Sequence, residues 1–333
     1  MTGQLVAGHI RAMQKLPSNA RMSRVADAPS NNWVYRLLPQ ALWPYAQIAR
    51  WDRPIGWWLL LWPCWWSLAL VAGPGGLSPD EGVVIAALFL IGAVAMRGAG
   101  CTYNDMVDAG IDAKVERTAS RPIPSGHISK RAALLFMLAQ LGAGFLALLG
   151  LVAARGTFNG FAFALAFASL IVVAAYPFAK RVTDWPQLVL GLAFSWGSLM
   201  GWAVVTGGLS AAAFALYAAA VVWTVGYDTI YAHQDKEDDA LIGVRSTALL
   251  FGSRTKLALA CLYATTCGLL VWATFLAGVA WPAFLGIAAG AGHMIWQIAR
   301  LDIDDSARCL ALFRSNTQFG WLIFAGFLAA LFV

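Results

Sequence analysis

Nine stretches of nearly unbroken apolar sequence recur along the chain, near residues 55–73, 82–103, 131–154, 158–177, 186–206, 210–232, 257–279, 281–299 and 315–333. Each is about long enough for a helix to cross a hydrocarbon core of ~30 Å at ~1.5 Å per residue. The pattern predicts an all-α integral membrane protein, a bundle of nine transmembrane helices. Glycine and proline inside several runs do not oppose that reading, because membrane helices tolerate them more readily than soluble ones. Ahead of the first run the sequence is polar and without period, carrying Arg11, Lys15, Arg21 and Arg24 against Asp27. It predicts a basic, poorly ordered tail over residues 1–45 and one helical domain over 46–333.

Basic residues test the count of spans, since a wrong number would scramble their alternation between loops. They fall on one side as Arg50 and Arg53, then Lys114, Arg117, Arg121, Lys130 and Arg131, then Lys180 and Arg181, then Lys236, Arg245, Arg254 and Lys256, and last Arg300, Arg308 and Arg314. The intervening loops hold only Arg155. This places the N-terminus and the basic loops in the cytoplasm or matrix. A bacterial inner membrane is the expected location, and a mitochondrial inner membrane is the alternative because the tail also resembles a transit peptide.

Composition narrows the function. The chain is 60% hydrophobic and 12% charged, about half the charge of a soluble domain. A net charge of +6 does not signal nucleic acid, because the cations are interleaved with membrane spans instead of forming one basic face. Cys64, Cys101, Cys261, Cys267 and Cys309 are scattered without paired spacing, and the four histidines form no ligand pattern.

The acids are not scattered. Eight of the 17 acidic residues lie in two stretches: Asp105, Asp108 and Asp112 after the second run, and Asp228, Asp235, Glu237, Asp238 and Asp239 after the sixth. Helical spacing puts Asn104, Asp108 and Asp112 on one stripe with Asp105 beside it, and puts Asp228, Asp235 and Asp239 on one face at offsets of seven and eleven. Like charges stacked this way repel, so each stripe needs a counter-charge. Hard oxygen donors select Mg²⁺, which commonly takes its remaining ligands from substrate phosphates, so a diphosphate substrate is implied. Arg117, Arg121, Lys180 and Arg181 suit the same anion. A cation-coupled transporter is the competing class, because intramembrane acids mark ion paths; the clustering of these acids at helix ends on one side opposes it.

These motifs resemble the UbiA-type intramembrane prenyltransferases, most closely the members that act in ubiquinone biosynthesis. The likeness covers about residues 40–333. It rests on Arg53-Pro54-Ile55-Gly56; Met96-Arg97-Gly98-Ala99-Gly100-Cys101 ahead of Asn104-Asp105-x-x-Asp108-x-x-x-Asp112; Arg117-Thr118-Ala119-Ser120-Arg121-Pro122; Tyr176-Pro177-Phe178-Ala179-Lys180-Arg181; and Tyr227-Asp228-Thr229-x-Tyr231-Ala232-x-x-Asp235-x-x-Asp238-Asp239. His233 and Lys236 sit among the second-motif residues at variable positions.

The resemblance implies transfer of a polyprenyl group from polyprenyl diphosphate to 4-hydroxybenzoate, at the ring carbon beside the hydroxyl, with homogentisate, dihydroxynaphthoate and haem as alternative acceptors. It implies that Asn104, Asp108, Asp112, Asp235 and Asp239 hold Mg²⁺ and diphosphate; Asp105 joins the metal set by its place beside the stripe. Tyr176 and Lys180 lie by the diphosphate or the allylic carbon, and Arg97 lines a central cavity open to the basic side and laterally to lipid. Asp108, Asp235, Tyr176 and Lys180 are thus the catalytic candidates. Asn104, Arg121, Lys180 and Arg181 are substrate-binding candidates. Tyr176, Tyr103 and Tyr231 are candidates to face an allylic cation, since an aromatic face attracts positive charge. Arg53 and Arg97 are candidates for the acceptor carboxylate, and Asp228 or Asp105 for the proton released. Trp57, Trp58, Trp62, Trp65 and Trp66 are read as packing and anchoring residues. Membrane lipid is the expected surrounding, and the sequence does not set an oligomeric state.

Overall fold

Helices are the only regular structure among the residues that the computed structural model describes, 32–73, 76–113 and 116–333; the side chains of Ile111, Glu116, Arg117, Asp238, Asp239 and Ile242 lie outside the described set. Most of the expected tail, residues 1–31, also lies outside it. In chain order the helices are α1 (Trp33–Leu37), α2 (Trp43–Ile48), α3 (Ile55–Ala72), α4 (Pro79–Asp112), α5 (Glu116–Ala119), α6 (Lys130–Ala153), α7 (Gly160–Val182) and α8 (Pro186–Phe194). They continue as α9 (Gly197–Thr206), α10 (Ala211–Ala232), α11 (Lys236–Ile242), α12 (Thr247–Phe251), α13 (Thr255–Ala277), α14 (Pro282–Arg300), α15 (Ser306–Arg314) and α16 (Asn316–Ala329). Among the described residues the chain forms two compact units, 32–54 with Gly98–Ala139, and Ile55–Arg97 with Gln140–Val333.

Eight helical stretches among the described residues are long and apolar enough to cross a membrane. The expected nine is not reached by that measure. The segment read as the eighth span is the 19-residue helix α14, but Gly286, Gly290, Gly292, His293 and Gln297 dilute its apolar content. Leu135, Leu146 and Ile171 on α6 and α7 stand exposed. Lipid is the solvent in which such apolar faces carry no cost.

In the second unit the helices meet through small residues, as expected where lipid removes the usual hydrophobic drive and backbone approach supplies the contact. A Cβ on Gly201 of α9 would lie 2.8 Å from the Cys64 carbonyl oxygen and 2.7 Å from the Ser67 Cβ, both on α3. Gly286 and Gly326 bring α14 and α16 together so closely that a Cβ on either would sit 2.7 Å from the other's Cα. The tryptophans of α3 pack, as read from the sequence: Trp58 and Trp62 stack at 5.1 Å, and the Trp66 indole donates to the Gly320 carbonyl at 2.9 Å. Asn159 caps α7 by accepting from Ala162 N at 2.9 Å while its amide donates to the Ala203 carbonyl at 2.7 Å.

The first unit has a small core of Ile48, Ile123, Ile128 and Ala133, flanked by Tyr45, Met106 and Phe136. Tyr45 and Trp51 both meet the Phe136 ring edge-on, at 5.2 and 5.9 Å. These contacts hold the turn at residues 49–54 and the 120s loop around the last turns of α4.

One local reading holds and one changes. The first aspartate motif is part of helix α4, which runs through Asp112, so the stripe at Asn104, Asp108 and Asp112 is a true helical face. The second motif is not one continuous face. Helix α10 ends at Ala232 and α11 starts at Lys236, with Gln234 N and Asp235 N bonding back to the Tyr231 and Ala232 carbonyls in tight three-residue turns. The offsets of seven and eleven between Asp228, Asp235 and Asp239 therefore do not define a shared face.

Candidate active site

The first unit gathers charge at the end of α4. Asp105 and Asp108 are each 1% exposed and Asp112 is 7% exposed, while Asn104 is half-buried. Carboxylates so buried need cations. Arg50 Nη2 donates to Asp105 Oδ1 at 2.7 Å. Arg121 Nη1 lies 3.4 Å from the same oxygen and 3.0 Å from Asp112 Oδ2, so one nitrogen spans two carboxylates. Asp105 Oδ2 is buried with no hydrogen-bond partner among the described residues. Thr118 Oγ1 donates to the Asp112 carbonyl at 2.9 Å and pins the loop that brings Arg121 in. Burial raises the Asp112 carboxyl above its ordinary value, against the pull of Arg121 and with the push of Asp105 and Asp108.

Arg50 is held in an unusual way. Its φ of 60° is the only positive value at a non-glycine residue among the described ones, a conformation that costs an L-residue roughly 1–2 kcal/mol. Its side chain is buried and also donates to the Gln47 carbonyl at 2.8 Å. Strain of this kind persists where surrounding contacts over-determine it. Arg53, a candidate for the acceptor carboxylate, makes a forked contact with Asp52 at 3.1 and 3.2 Å, and Asp52 is fully buried.

The second unit holds another cluster. The Arg97 guanidinium lies over the Phe194 ring at 5.1 Å, and its buried Nε has no hydrogen-bond partner among the described residues. Gly56 makes room for it: a Cβ there would meet Arg97 Nε at 2.5 Å. Its positive charge acts on Asp228, with the Gln187 side chain close to the same carboxylate. Gln187 Oε1 accepts from Thr247 N at 3.0 Å, which fixes the orientation of that amide. The Tyr231 ring lies 4.5 Å from Phe313. Tyr176, Lys180 and Asp235 are half-buried, and Arg181 is exposed over the Phe178 ring at 5.7 Å; Tyr103, which belongs to the first unit, is half-buried as well.

The turn before α11 is fixed by its neighbours. His233 is buried and shares a 3.0 Å hydrogen bond with Thr255. Its imidazole is pushed down to about 4 by burial first and by the Lys236 ammonium second, with Asp304 opposing, so it is neutral at neutral pH. Lys236 donates to the Ile303 carbonyl at 3.0 Å and to Asp304. Asp235 lies between these two anchors. The side chain of Asp239 lies outside the described residues.

Sequence reasoning brought forward Asp105, Asp108, Asp112 and Arg121, which the first unit gathers, and Arg97 and Asp228, which the second does. It missed Arg50, Asp52, Gln187 and Phe194. The run Arg50-Trp51-Asp52-Arg53 beside Pro54, charges alternating ahead of an apolar helix, is the signal that could have found the first two.

An all-helical membrane protein with buried aspartates at helix ends and arginines on them defines the class. The sequence from 60 to 330 matches the UbiA prenyltransferase family, and the chain belongs to that family. It is 45% identical over 296 residues to the mitochondrial 4-hydroxybenzoate polyprenyltransferase of Arabidopsis thaliana, covering 89% of this chain and 70% of that one. The rat (Rattus norvegicus) protein of the same description is 46% identical, covering 88% of this chain and 76% of that one. Among solved structures it is similar to an apo UbiA homolog from Aeropyrum pernix K1, with a TM-score of 0.67, 24% identity and coverage of 81% of this chain and 97% of that one. A UbiA homolog from Archaeoglobus fulgidus bound to GPP and Mg²⁺ matches at a TM-score of 0.60 and 20% identity, covering 87% of this chain and all of that one. These structures establish the fold.

Proposed function

We propose that this protein transfers a polyprenyl group from polyprenyl diphosphate to the ring carbon ortho to the hydroxyl of 4-hydroxybenzoate, a step of ubiquinone biosynthesis, and that residues 46–333 form the prenyltransferase domain. The relatives that carry this description, in Arabidopsis and rat, are similar along most of the chain. The observation that carries the reading is the helical stripe of oxygen donors at the buried end of α4, with arginine nitrogens already seated on its carboxylates.

The donor set suits Mg²⁺. It offers oxygen only, and one carboxylate oxygen, Asp105 Oδ2, is buried without a partner among the described residues. Mg²⁺ commonly completes its shell with substrate phosphate oxygens. Asn104, Asp105, Asp108, Asp112, Asp235 and Asp239 would hold it. When bound, Mg²⁺ neutralises a leaving diphosphate as a Lewis acid.

The chain's own residues do the rest. Arg121, Lys180 and Arg181 draw the diphosphate and stabilise the charge that develops on it. Tyr176 and Tyr231 offer ring faces to the allylic cation, and apolar helices keep water from quenching it. Arg97 holds the acceptor carboxylate, because Arg53 is engaged by Asp52 while the buried Arg97 Nε has no hydrogen-bond partner among the described residues. Asp228 takes the ring proton, because Asp105 is engaged by two arginines. The prenyl tail stays in lipid, since each CH₂ would cost ~0.8 kcal/mol to expose. The reading places the basic loops on the cytoplasmic or matrix side of an inner membrane.

The test uses purified full-length protein in detergent with Mg²⁺, a polyprenyl diphosphate and radiolabelled 4-hydroxybenzoate. Prenylated ring product, lost on adding a chelator, is the expected result. No product, with activity only as ion flux in sealed vesicles, would contradict it.

A further inference from the structure

We propose that residues 301–305, the loop between α14 and α15, form the template that sets the second aspartate motif, and that Lys236 and Asp304 are positioning residues for Asp235. This rests on the reading of Asp235 as a metal and diphosphate ligand, and it names what aims that ligand.

Asp235 stands at a break in the helix. Helix α10 ends at Ala232 and α11 starts at Lys236, and Gln234 N and Asp235 N turn back to the Tyr231 and Ala232 carbonyls at 3.1 and 3.2 Å. Such a turn leaves the direction of the next helix to whatever holds its flanks. Before the break, His233 meets Thr255 at 3.0 Å. The threonine hydroxyl gives its one proton to the Gly252 carbonyl at 2.7 Å, so the imidazole Nε2 is the donor. After the break, the Lys236 ammonium donates to the Ile303 carbonyl at 3.0 Å and to the Asp304 carboxylate, 67 and 68 residues further along the chain.

The loop that receives Lys236 is itself built. Leu301 is buried, and the buried Cys309 Sγ on α15 donates to the Asp302 carbonyl at 3.2 Å. Asp302 Oδ1 accepts from Asp304 N at 3.2 Å, and Asp305 caps α15 by accepting from Arg308 N at 2.9 Å. An exposed ion pair alone holds little. Here the ammonium meets a carbonyl and a carboxylate at neighbouring positions of a loop closed by its own hydrogen bonds, so the contact carries direction as well as charge.

Charge gives the proposal a sign. Asp304 is an anion tied to the second motif, and by electrostatics alone its removal favours an incoming diphosphate. As the partner that aims Lys236, its removal weakens diphosphate binding instead.

Steady-state kinetics of the full-length protein in detergent, with geranyl diphosphate as the probe donor, read that sign. Asp304→Ala should raise KM for geranyl diphosphate about tenfold, inside the ~hundredfold that an ångström of misplacement costs. The Mg²⁺ level for half-maximal rate should rise with it, while KM for 4-hydroxybenzoate stays within about twofold. Lys236→Met should behave in the same way, and Lys236→Arg, which keeps the donors, should stay near wild type. The double variant Lys236→Met with Asp304→Ala should be no worse than either single one, because both act through one contact. A KM for geranyl diphosphate in Asp304→Ala equal to or below that of wild type overturns the proposal, and is the pattern of a lysine that acts on the diphosphate directly; additive losses in the double variant overturn it as well. The underlying reading of Asp235 fails by a different result, an Asp235→Asn variant that turns over as wild type does.

Discussion

Arg50 offers the sharpest energetic test, because two opposing effects meet at one residue. Arg50→Ala removes the guanidinium from a carboxylate that is 1% exposed. Deleting one partner of a buried pair costs about 3–5 kcal/mol, and the lower end applies because Arg121 stays 3.4 Å from Asp105. Arg50→Gly makes the same loss but relieves the positive φ. That relief is worth about 1–2 kcal/mol, and the extra freedom of an unfolded glycine returns about 0.5–1 kcal/mol of it. Arg50→Gly should therefore be less stable than wild type yet about 0.5–1 kcal/mol more stable than Arg50→Ala. Adding Asp105→Asn to Arg50→Ala should restore part of the loss, since the buried charge goes with its partner. Unfolding of the purified protein in mixed micelles, followed by tryptophan fluorescence and with Asp105→Asn alone included, gives all five values. A glycine variant no more stable than the alanine one would refute the strain, and a strictly additive double variant would refute the pairing.

Arg97→Met should raise KM for 4-hydroxybenzoate by ten- to hundredfold, the worth of a charge-assisted hydrogen bond of about 1.5–3 kcal/mol, while KM for the prenyl diphosphate stays nearly constant; equal shifts in both would remove Arg97 from the acceptor site. Gly201→Leu should lower the folded yield, since its first added carbon falls 2.8 Å from the Cys64 carbonyl and overpacking costs about 1–3 kcal/mol; wild-type melting behaviour would show that α3 and α9 can part freely. His233 has a value in the fold of about 4 against an ordinary 6.5, so the unfolded chain takes the proton first. Its contribution is full above pH 6.5 and is lost as pH falls from 6.5 towards about 4, with a slope of at most ~1.4 kcal/mol per pH unit. Melting curves at pH 5 and 7 should draw together in His233→Gln, and an unchanged gap would assign the pH dependence elsewhere.

Much of the fold could be read from the chain because a bilayer demands long apolar helices. The sequence reading and the helices agree at α6, α7 and α10 to within a few residues. The run expected at 281–299 is helix α14 as well, and its Gly286 and Gly290 serve contact with α16, so glycine reads as low hydropathy where the packing needs it. The first aspartate motif could be placed because its residues repeat at one helical turn, and the counter-charge that their repulsion called for is supplied by Arg50 and Arg121. Only the arginines on them explain why a helix survives there. The second motif was misread because its turn depends on Thr255 reaching His233 and on Ile303 and Asp304 reaching Lys236, contacts more than 20 residues distant that no local pattern announces. Arg50 and Arg53 are chemically alike and three residues apart; Arg53 seats on its own neighbour Asp52, and only a contact 55 residues away puts Arg50 on Asp105.

The account turns on both aspartate segments engaging one diphosphate. Equilibrium binding of a radiolabelled prenyl diphosphate with Mg²⁺, measured for wild type, Asp108→Asn, Asp235→Asn and the double variant, tests this directly. Residues that act as a unit are strongly non-additive, so each single substitution should weaken binding at least about a hundredfold and the double should weaken it little further. Independent, additive losses, or a single variant that binds as wild type does, would contradict it.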